Sequence, residues 1–286
     1  MRLGYAPAAL ALAAVVACGT FSSTPPETNG GSDAGLDAPS VSPDGAAPLP
    51  DAGPQLPVPK PCGTADVFCD DFEAPDAVNL PGKWDSVYRQ SLLDVTTGQG
   101  AAGSVGLRAQ LEGADAGDLQ QGFLRKNRPG AAPARYTTII AFNANVTLNN
   151  GSVDGPKLRT DLSAGGQELR DVSVRWSDMG RRVEIDYVAD KCNACGLAPP
   201  DVVTITPGWH AYALVVSVDK ADPTNRTYGR LTLFVDGAVA IDAPLGLDMG
   251  GAAERALLFG VSRASSPVKG TLLLDDLYLE VVDAPP

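Results

Sequence analysis

The chain is poor in histidine, in aromatic residues and in basic residues. It has one histidine, His210, and aromatic residues make up 6% of its 286 residues. A single imidazole excludes mechanisms that need two of them and excludes a histidine-rich zinc or iron site. Lys and Arg number 22 against 34 Asp and Glu, so the formal net charge is −12. Because nucleic acids are bound by clustered Lys and Arg, this balance argues against a nucleic-acid partner.

The sequence also lacks an apolar run long enough to cross a membrane as a helix. The apolar stretch at residues 6–17 has 12 residues and follows Arg2. That length is typical of the hydrophobic part of a signal peptide, whereas a transmembrane helix needs about 20 residues. We therefore predict that residues 1–17 are an export signal.

The end of this signal resembles the lipobox of bacterial lipoproteins. Residues 15–19 read Val-Val-Ala-Cys-Gly, and in that family the cysteine is acylated and becomes the new N-terminus. The resemblance implies that Cys18 carries palmitate-type acyl chains, which together hold a protein stably on a membrane. The alternative is an ordinary secretory signal in which Cys18 is incidental. The lipobox interpretation predicts an exported protein anchored to the cell envelope, at the outer membrane, facing the periplasm or the surface.

A segment rich in proline and glycine follows the export signal. Residues 19–60 contain 9 prolines, 6 glycines and one aromatic residue, with no period typical of a helix or a strand. Such a composition buries too little apolar surface to offset the entropy lost on ordering. We therefore predict that residues 18–60 form a disordered tether behind the lipidated cysteine.

Four further cysteines form two local pairs in the sequence. Cys62 and Cys69 open the predicted domain, and Cys192 and Cys195 lie in a loop bounded by glycine and proline. Four cysteines allow three disulfide pairings, which the sequence alone does not separate. Two local disulfides, Cys62–Cys69 and Cys192–Cys195, are our preferred prediction for an exported protein. The alternatives are a zinc site of four thiolates and a redox Cys-x-x-Cys motif, for which the ligand spacing and the loop position are poorly suited.

Apolar residues alternate with polar ones from residue 61 to residue 286, which is the period of a β-strand. Clear examples are residues 105–111, 172–176, 183–187 and 231–235. Turn residues recur at intervals of roughly 8–12 residues, and no long helical pattern is present. We predict one all-β domain, an antiparallel sandwich of two sheets with about 12 to 14 strands.

One hairpin is specified in detail by its sequence. A four-residue turn at 177–180 would set Val174 opposite Val183 and Val172 opposite Ile185, so that apolar pairs share one face. The other face is then either a solvated sheet surface or part of a ligand groove. The candidate ligand-binding residues on that face are Asp171, Ser173, Arg175, Arg182, Glu184 and Asp186.

Three segments resemble the laminin-G-like domains of the concanavalin A-like lectin/glucanase superfamily. They are residues 207–214 (PGWHAYAL), 229–237 (GRLTLFVDG) and 272–279 (LLLDDLYL). The resemblance implies a jelly roll of two antiparallel sheets, one of them concave, whose concave side and rim loops bind glycans or proteins. These motifs are more specific for the fold than for an activity, since one fold hosts many functions.

The glucanase branch of this superfamily provides a test for catalysis. Residues 184–189 (EIDYVA) resemble the Glu-x-Asp-x-(x)-Glu strand of family 16 glycoside hydrolases, in which the two glutamates are the nucleophile and the acid/base. A retaining hydrolase needs two carboxyl groups about 5–5.5 Å apart. Val188 or Ala189 stands where the second glutamate belongs, and Asp190 would need a further irregularity to reach the site. The sequence also has no Gly-x-Ser-x-Gly motif that could use His210 as a base. This favours a domain that is not an enzyme.

An acidic pair near the C-terminus suggests either a metal site or a buried hydrogen-bonded acid. Strand alternation predicts that Asp275 shares the core face with Leu273 and Leu277, and a buried carboxylate must be paired or coordinated. The resemblance implies that the first and last strands are neighbours and that several members bind calcium there. Asp71, Glu73 and Asp275 are then the candidate ligands for one structural calcium ion. The alternative is that Asp275 accepts hydrogen bonds from backbone amides or pairs with an arginine.

Two functional hypotheses therefore follow from the sequence. The first is a lipid-anchored envelope protein with a non-catalytic, lectin-like binding or adhesion domain for a glycan or an extracellular protein. The second is a polysaccharide-degrading hydrolase or lyase of the same fold with a divergent active site. A structural envelope protein without a ligand is a weaker third alternative.

Overall fold

The computed structural model describes residues 54–73, 83–113, 120–128, 130–162, 168–189, 201–222, 227–264 and 267–283. The predicted export signal, the predicted lipidation site Cys18, the predicted tether up to residue 53 and the pair Cys192–Cys195 lie outside these residues. Within the described ranges, no helix is long and apolar enough to span a membrane.

The described residues form fifteen strands and three short 3-10 turns, at Gln90–Leu92, Ala101–Gly103 and Asp178–Gly180. In chain order the strands are β1 (Val67–Asp70), β2 (Ser86–Tyr88), β3 (Leu93–Thr97), β4 (Val105–Glu112), β5 (Gln120–Arg128), β6 (Arg135–Leu148), β7 (Ser152–Asp161), β8 (Leu169–Ser177), β9 (Arg182–Ala189), β10 (Val203–Thr204), β11 (Trp209–Asp222), β12 (Thr227–Val235), β13 (Ala238–Pro244), β14 (Glu254–Ala264) and β15 (Lys269–Asp283).

The strands form two antiparallel sheets. One sheet has eight strands, in the order β13-β12-β11-β6-β15-β4-β3, with β1 paired to β15. The other has seven strands, in the order β10-β9-β8-β7-β14-β5-β2. The predicted two-sheet antiparallel jelly-roll sandwich is confirmed, with slightly more strands than the 12 to 14 expected.

Aromatic side chains join the two sheets at the centre of the core. Trp176 of β8 is fully buried, and its Nε1 donates a hydrogen bond of 3.2 Å to the hydroxyl of Tyr212 on β11. Phe142 of β6 stacks on Tyr212 with ring centroids 5.3 Å apart. A Cβ atom at Gly155 of β7 would lie 2.2 Å from the Trp176 ring, so only glycine fits beneath that ring. The core therefore fixes the relative position of β7 and β8.

The predicted hairpin forms between β8 and β9, but its predicted register is wrong by two residues. Val174 lies opposite Ile185, and the last pair before the turn is Ser177 with Arg182. The turn occupies residues 178–181 instead of 177–180 and is closed by a backbone hydrogen bond of 3.0 Å. Because side chains alternate with a period of two, a shift of two residues leaves each of them on its predicted face.

The last strand contains a β-bulge that the sequence pattern did not reveal. The register of β15 against β6 shifts by one residue between Asp275 and Tyr278, and Asp276 has a φ of 50°. Leu274 is fully buried before the bulge and Leu277 after it, whereas Leu273 is only partly buried. The prediction that Leu273, Asp275 and Leu277 share the core face is therefore wrong, because the extra residue shifts the alternation.

The first and last strands are neighbours, as the resemblance implied. β1 pairs with β15, with Val67 opposite Glu280. The predicted disulfide between Cys62 and Cys69 is present and ties the start of the domain to β1. Lys60 also contacts β15, since its Nζ lies 2.7 Å from the buried carboxylate of Glu280. The end of the predicted tether is thus held against the last strand.

Candidate functional site

The candidate ligand-binding residues lie on the outer face of the seven-stranded sheet, which is the face turned away from the core. Along β8 and β9, these residues alternate with buried apolar side chains such as Val174 and Ile185. Arg182 lies beside the turn at the start of β9 and is exposed. The other five are brought together by the register of the two strands: Asp171, Ser173, Arg175, Glu184 and Asp186.

Strand β7 adds three charged residues to this face that the sequence reasoning missed. Asp154 lies opposite Arg175, Lys157 lies opposite Ser173, and Arg159 lies opposite Asp171. Strict alternation would place residues 154 and 157 on opposite faces, but a register shift between them puts both on the outer face. The signal in the sequence is Gly-Pro at 155–156, because glycine and proline inside a strand often mark a bulge.

Arg175 is the centre of a cluster of charged side chains on this face. We call it the Arg175 cluster; its members are Asp154, Arg175, Glu184 and Asp186. The Nε of Arg175 lies 2.5 Å from Oδ1 of Asp154, and the Nη2 of Arg175 lies 2.5 Å from Oδ2 of Asp186. Glu184 is more distant, at 3.9 Å from Nη1. Burial alone would lower the pKa of Arg175, but the neighbouring carboxylates outweigh this effect and raise it. The guanidinium therefore holds carboxylates from β7 and β9 together.

A second cluster lies beside it and is more deeply buried; we call it the Asp171 cluster, formed by Lys157, Arg159 and Asp171. Both oxygens of Asp171 accept hydrogen bonds from Arg159, at 2.9 and 2.8 Å, and Nζ of Lys157 lies 3.2 Å away. Asp171 and Lys157 are only 2% and 3% exposed. Two cations therefore neutralise one carboxylate that water hardly reaches.

The electrostatics of the outer face distinguish Asp186 from the other acids. Burial raises the pKa of this half-buried carboxyl, and the negative charge of Asp154 raises it further. Arg175, Arg263 and Lys157 lower the pKa, but their combined effect is smaller. A carboxyl group with a raised pKa inside a charged cluster is a candidate for proton transfer.

An aromatic pair occupies the same face near the other edge of the sheet. Tyr88 of β2 stacks on Phe123 of β5, with ring centroids 5.1 Å apart and planes at 16°. The next residue on β5, Leu124, is fully buried in the core, so Phe123 points outward. Tyr88 is 43% exposed. Phe123 lies three strands from Arg175, a distance of about 14 Å at the usual strand spacing.

His210 belongs to the other sheet and has an electrostatic partner of its own. Its Nδ1 lies 2.7 Å from the Asp236 carboxylate, and its Nε2 lies 2.8 Å from the carbonyl oxygen of Thr206. Burial lowers the pKa of His210, but Asp236 and Thr206 raise it by more. Because His210 lies on β11 of the eight-stranded sheet, it is not a base for the outer face of the seven-stranded sheet.

Asp275 is 1% exposed and is covered by the 3-10 turn at Ala101–Gly103. Its Oδ2 accepts hydrogen bonds from the backbone of Ala101, at 2.8 Å, and from the hydroxyl of Ser104, at 2.7 Å. Its Oδ1 accepts one from the backbone of Asp276, at 2.8 Å. Burial raises the pKa of Asp275 despite these hydrogen bonds. The carboxylate therefore joins β15 to the loop before β4.

The other two candidate calcium ligands are exposed and bonded to backbone amides. Glu73 accepts a hydrogen bond of 2.7 Å from the backbone of Val105, and Asp71 accepts one of 3.3 Å from the backbone of Glu73. In the part of the chain that the structure describes, no group of three Asp, Glu, His or Cys side chains is placed to hold a metal ion. Calcium binding by Asp71, Glu73 and Asp275 stays a prediction.

Comparisons with known proteins found resemblance only at the level of structure. No protein-family model and no curated protein matches the chain. The cellulose-induced protein Cip1 is 14% identical, with 76% of this chain and 97% of that chain covered and a TM-score of 0.49. The alginate lyase Aly36B, solved with an alginate trisaccharide, is 13% identical (68% and 86% covered, TM-score 0.48). An endo-β-1,4-glucuronan lyase from the fungus Trichoderma reesei is 11% identical (70% and 92% covered, TM-score 0.47). At these values none of them carries an argument about activity.

Proposed function

We propose that the domain is a non-catalytic carbohydrate-binding module that holds an oligosaccharide on the outer face of the seven-stranded sheet. The observation that carries this proposal is the combination, on one face, of an exposed aromatic pair with ordered charged side chains. Tyr88 marks one end of this surface and Arg175 the other. We call the surface between them the sheet platform.

The chemistry of the sheet platform matches the two kinds of surface that a sugar presents. The apolar C–H face of a sugar ring packs against an exposed aromatic ring such as that of Tyr88. The hydroxyl groups of the sugar form hydrogen bonds with carboxylates and guanidinium groups, which are strong partners because they are charged. Tyr88 on β2 lies four strands from Arg175 on β8, about 19 Å at the usual strand spacing, which suits an oligosaccharide that crosses several strands better than a single sugar.

The pairing of the carboxylates favours binding over hydrolysis. A retaining hydrolase needs one carboxylate free to attack and a second carboxyl group that is protonated. On the described part of the platform, Asp154 and Asp186 both contact Arg175, and Asp171 contacts two cations. A carboxylate held by a guanidinium is a weak nucleophile. Val188 or Ala189 occupies the position of the second glutamate of the hydrolase motif.

A polysaccharide-degrading hydrolase or lyase remains the second candidate because of one observation. Asp186 has a raised pKa and contacts the same arginine as Asp154. A carboxyl group that keeps its proton can act as a general acid once substrate displaces the arginine. This alternative predicts cleavage of the bound glycan.

A glycan array probed with the detergent-solubilised full chain tests the binding function. We expect selective binding to polysaccharide fragments, and we expect Tyr88→Ala to weaken it about tenfold, because a stacking contact worth about 1–1.5 kcal/mol is lost. Val239→Ala is the matched control, since Val239 is equally exposed but lies on the eight-stranded sheet. No binding to any glycan, or equal losses in the two variants, would contradict the proposal.

The same glycans, after incubation with the protein, separate the two candidates. Glycans that keep their original length support a binding module. Shortened or unsaturated glycans would show that the protein is an enzyme. If the Asp186→Asn variant no longer forms these products, Asp186 is the general acid. The Asp186 side chain is only 17% exposed and is ion-paired with Arg175, so the fold of this variant is checked by its melting temperature.

We further propose that the domain is held at the cell envelope by acyl chains on Cys18, with residues 19–60 as the tether. The proposal is supported by the 12-residue apolar run that ends at the lipobox-like motif. Wild-type protein made in a bacterial host is expected to partition into the detergent phase of a phase-separation assay. Cys18→Ser removes the acylated thiol, so it should move to the aqueous phase. An unchanged distribution would refute lipidation.

A further inference from the structure

The outer face of the eight-stranded sheet carries apolar side chains that water hardly reaches. The core-facing residues of β11 and β12 include Leu214 and Leu233, which are fully buried. Their neighbours point to the outer face, because side chains alternate along a strand. Three outward side chains of this sheet are nevertheless almost fully buried, since Ile139 is 8% exposed, Ala213 6% and Phe234 2%. An open sheet face leaves a phenylalanine ring partly exposed, so this burial indicates that another part of the chain lies over it.

These side chains belong to two neighbouring rows that run across the strands. Each row has one residue from each of β12, β11, β6 and β15. The strand register gives the first row as Phe234, Ala213, Ala141 and Tyr278, and the second row as Thr232, Val215, Ile139 and Glu280. The two alanines leave a shallow depression between the rings at the ends of the first row, which we call the alanine groove. It spans three strand spacings, or about 14 Å. All fifteen strands of the described part of the chain belong to the two sheets, so none of them crosses this groove.

The chain enters the domain at one end of the alanine groove. The backbone N–H of Lys60 donates a hydrogen bond of 2.8 Å to the hydroxyl of Tyr278, which ends the first row. The Nζ of Lys60 lies 2.7 Å from the carboxylate of Glu280, which ends the second row. After Lys60 the chain continues to β1, which pairs with β15 on the side away from β6. The residues before Lys60 therefore start at the end of the groove, between its two rows.

The residues that precede Lys60 have the composition and the length to fill this groove. Residues 50–59 read PDAGPQLPVP, with four prolines in ten residues. Proline favours the extended polyproline II conformation, which rises about 3.1 Å per residue, so five residues span about 15 Å. Leu56 is 36% exposed and Pro54 and Pro57 are partly buried, whereas Val58 is 88% exposed. One side of this segment is therefore packed and the other faces water.

We propose that residues 50–59 dock in the alanine groove as an extended strap, which runs from β15 to β12 and covers Ala213 and Phe234. The backbone groups of the sheet are already paired between strands, so they offer the strap no hydrogen bonds. A proline-rich strap suits such a face, because four of its ten residues lack an N–H that would need a partner. The tether then leaves the domain at β12 instead of β15. The outer face of the seven-stranded sheet, with the sheet platform, stays open.

Labelling of a cysteine beneath the strap tests this proposal in the full chain. Ala213→Cys places a thiol in the groove, and the triple change Pro54→Gly, Leu56→Ser and Pro57→Gly removes the packed side chains of the strap but keeps Lys60. We expect a bulky maleimide to label Ala213→Cys at least tenfold faster when the strap is also changed. The same chains without the new cysteine give the background rate. Equal rates with the two straps would show that another part of the chain covers the groove, which would overturn the proposal.

Val239→Cys is the matched control for this labelling. Val239 lies opposite Phe234 on β13, in line with the first row, but it is 44% exposed. We expect its labelling rate to be the same with both straps. A tenfold increase there as well would show that the changed strap loosens the whole sheet, and this result would also overturn the proposal. If Ala213→Cys lowers the melting temperature, Ala141→Cys provides the same comparison in the same groove.

A disulfide cross-link tests the path of the strap by a second measurement. Leu56 precedes Lys60 by four residues, which places it about 12 Å along the groove, above β11 and β12. The pair Leu56→Cys and Ala213→Cys should therefore form a disulfide under mild oxidation, which requires Cα atoms less than about 7 Å apart. The pair Val58→Cys and Ala213→Cys is the control and should stay reduced, because Val58 faces water. Failure of the first pair to cross-link, or equal cross-linking of both pairs, would contradict the docked strap.

Discussion

Replacing Asp171 by alanine is expected to lower the free energy of unfolding by about 3–5 kcal/mol, the usual loss when one partner of a buried ion pair is removed. Asp171 receives two hydrogen bonds from Arg159 and lies 3.2 Å from Nζ of Lys157. Without the carboxylate, the buried ammonium of Lys157 loses its ion-pair partner at 3.2 Å. Urea denaturation monitored by tryptophan fluorescence measures the change.

Lys157→Met is the matched control for Asp171→Ala. It removes the other buried charge, but Asp171 keeps both hydrogen bonds from Arg159, and methionine retains most of the side-chain volume. We expect it to cost under about 1.5 kcal/mol, or to be neutral, as hydrophobic replacements of buried ions often are. Equal losses in the two variants would show that the cluster stabilises the fold by packing and not by charge.

The second large effect is expected at Asp275. Asp275→Asn should lower the free energy of unfolding by about 2–3 kcal/mol, since hydrogen bonds to a charged acceptor are each worth about 1.5–3 kcal/mol. The carboxylate accepts from Ala101, Ser104 and Asp276, and an amide group would turn a donor toward at least one of these donors. Asp276→Asn is the control, because Asp276 is exposed and its loss should change stability by less than about 0.5 kcal/mol.

Chelation decides whether calcium contributes to the same site. If Asp71, Glu73 and Asp275 bind calcium, the wild-type chain should melt at a lower temperature in chelator. A hundredfold excess of calcium over Kd would add about 2.7 kcal/mol. A metal-free chain that melts at one temperature with and without added calcium would refute the calcium site. Asp275 would then be a hydrogen-bonded acid only.

The members of the Arg175 cluster that solvent reaches are Arg175, Glu184 and Asp186, with side chains 24%, 29% and 17% exposed. These side chains are already held by mutual contacts, so a glycan bound as proposed would not have to order them, which reduces the entropic cost of binding. The same pairing limits catalysis, because a carboxylate must first be released from its cation before it can react.

The sequence by itself determined the class of fold and the faces of the central hairpin. Alternating apolar residues specify strands and decide which side chains are buried, because a strand repeats every two residues. This is why Arg175 and Asp186 were placed on one face although the predicted register was wrong by two. The disulfide between Cys62 and Cys69 is present; it was the preferred prediction, while the cysteine pattern alone left three pairings open.

Only the tertiary structure decided which charges meet and where the alternation breaks. The bulge at 155–156 puts Asp154 and Lys157 on one face, and the bulge after Asp275 changes which leucines of β15 are buried. A bulge adds one residue to one strand, and its position is set by the neighbouring strand and by packing such as that of Trp176 on Gly155. The alternation of apolar and polar residues is a local property of each strand, so the sequence pattern identified which side chains share a face of the sheet. The pairing of strands that are distant in the chain is not local, so only the folded structure decided which charged side chains meet.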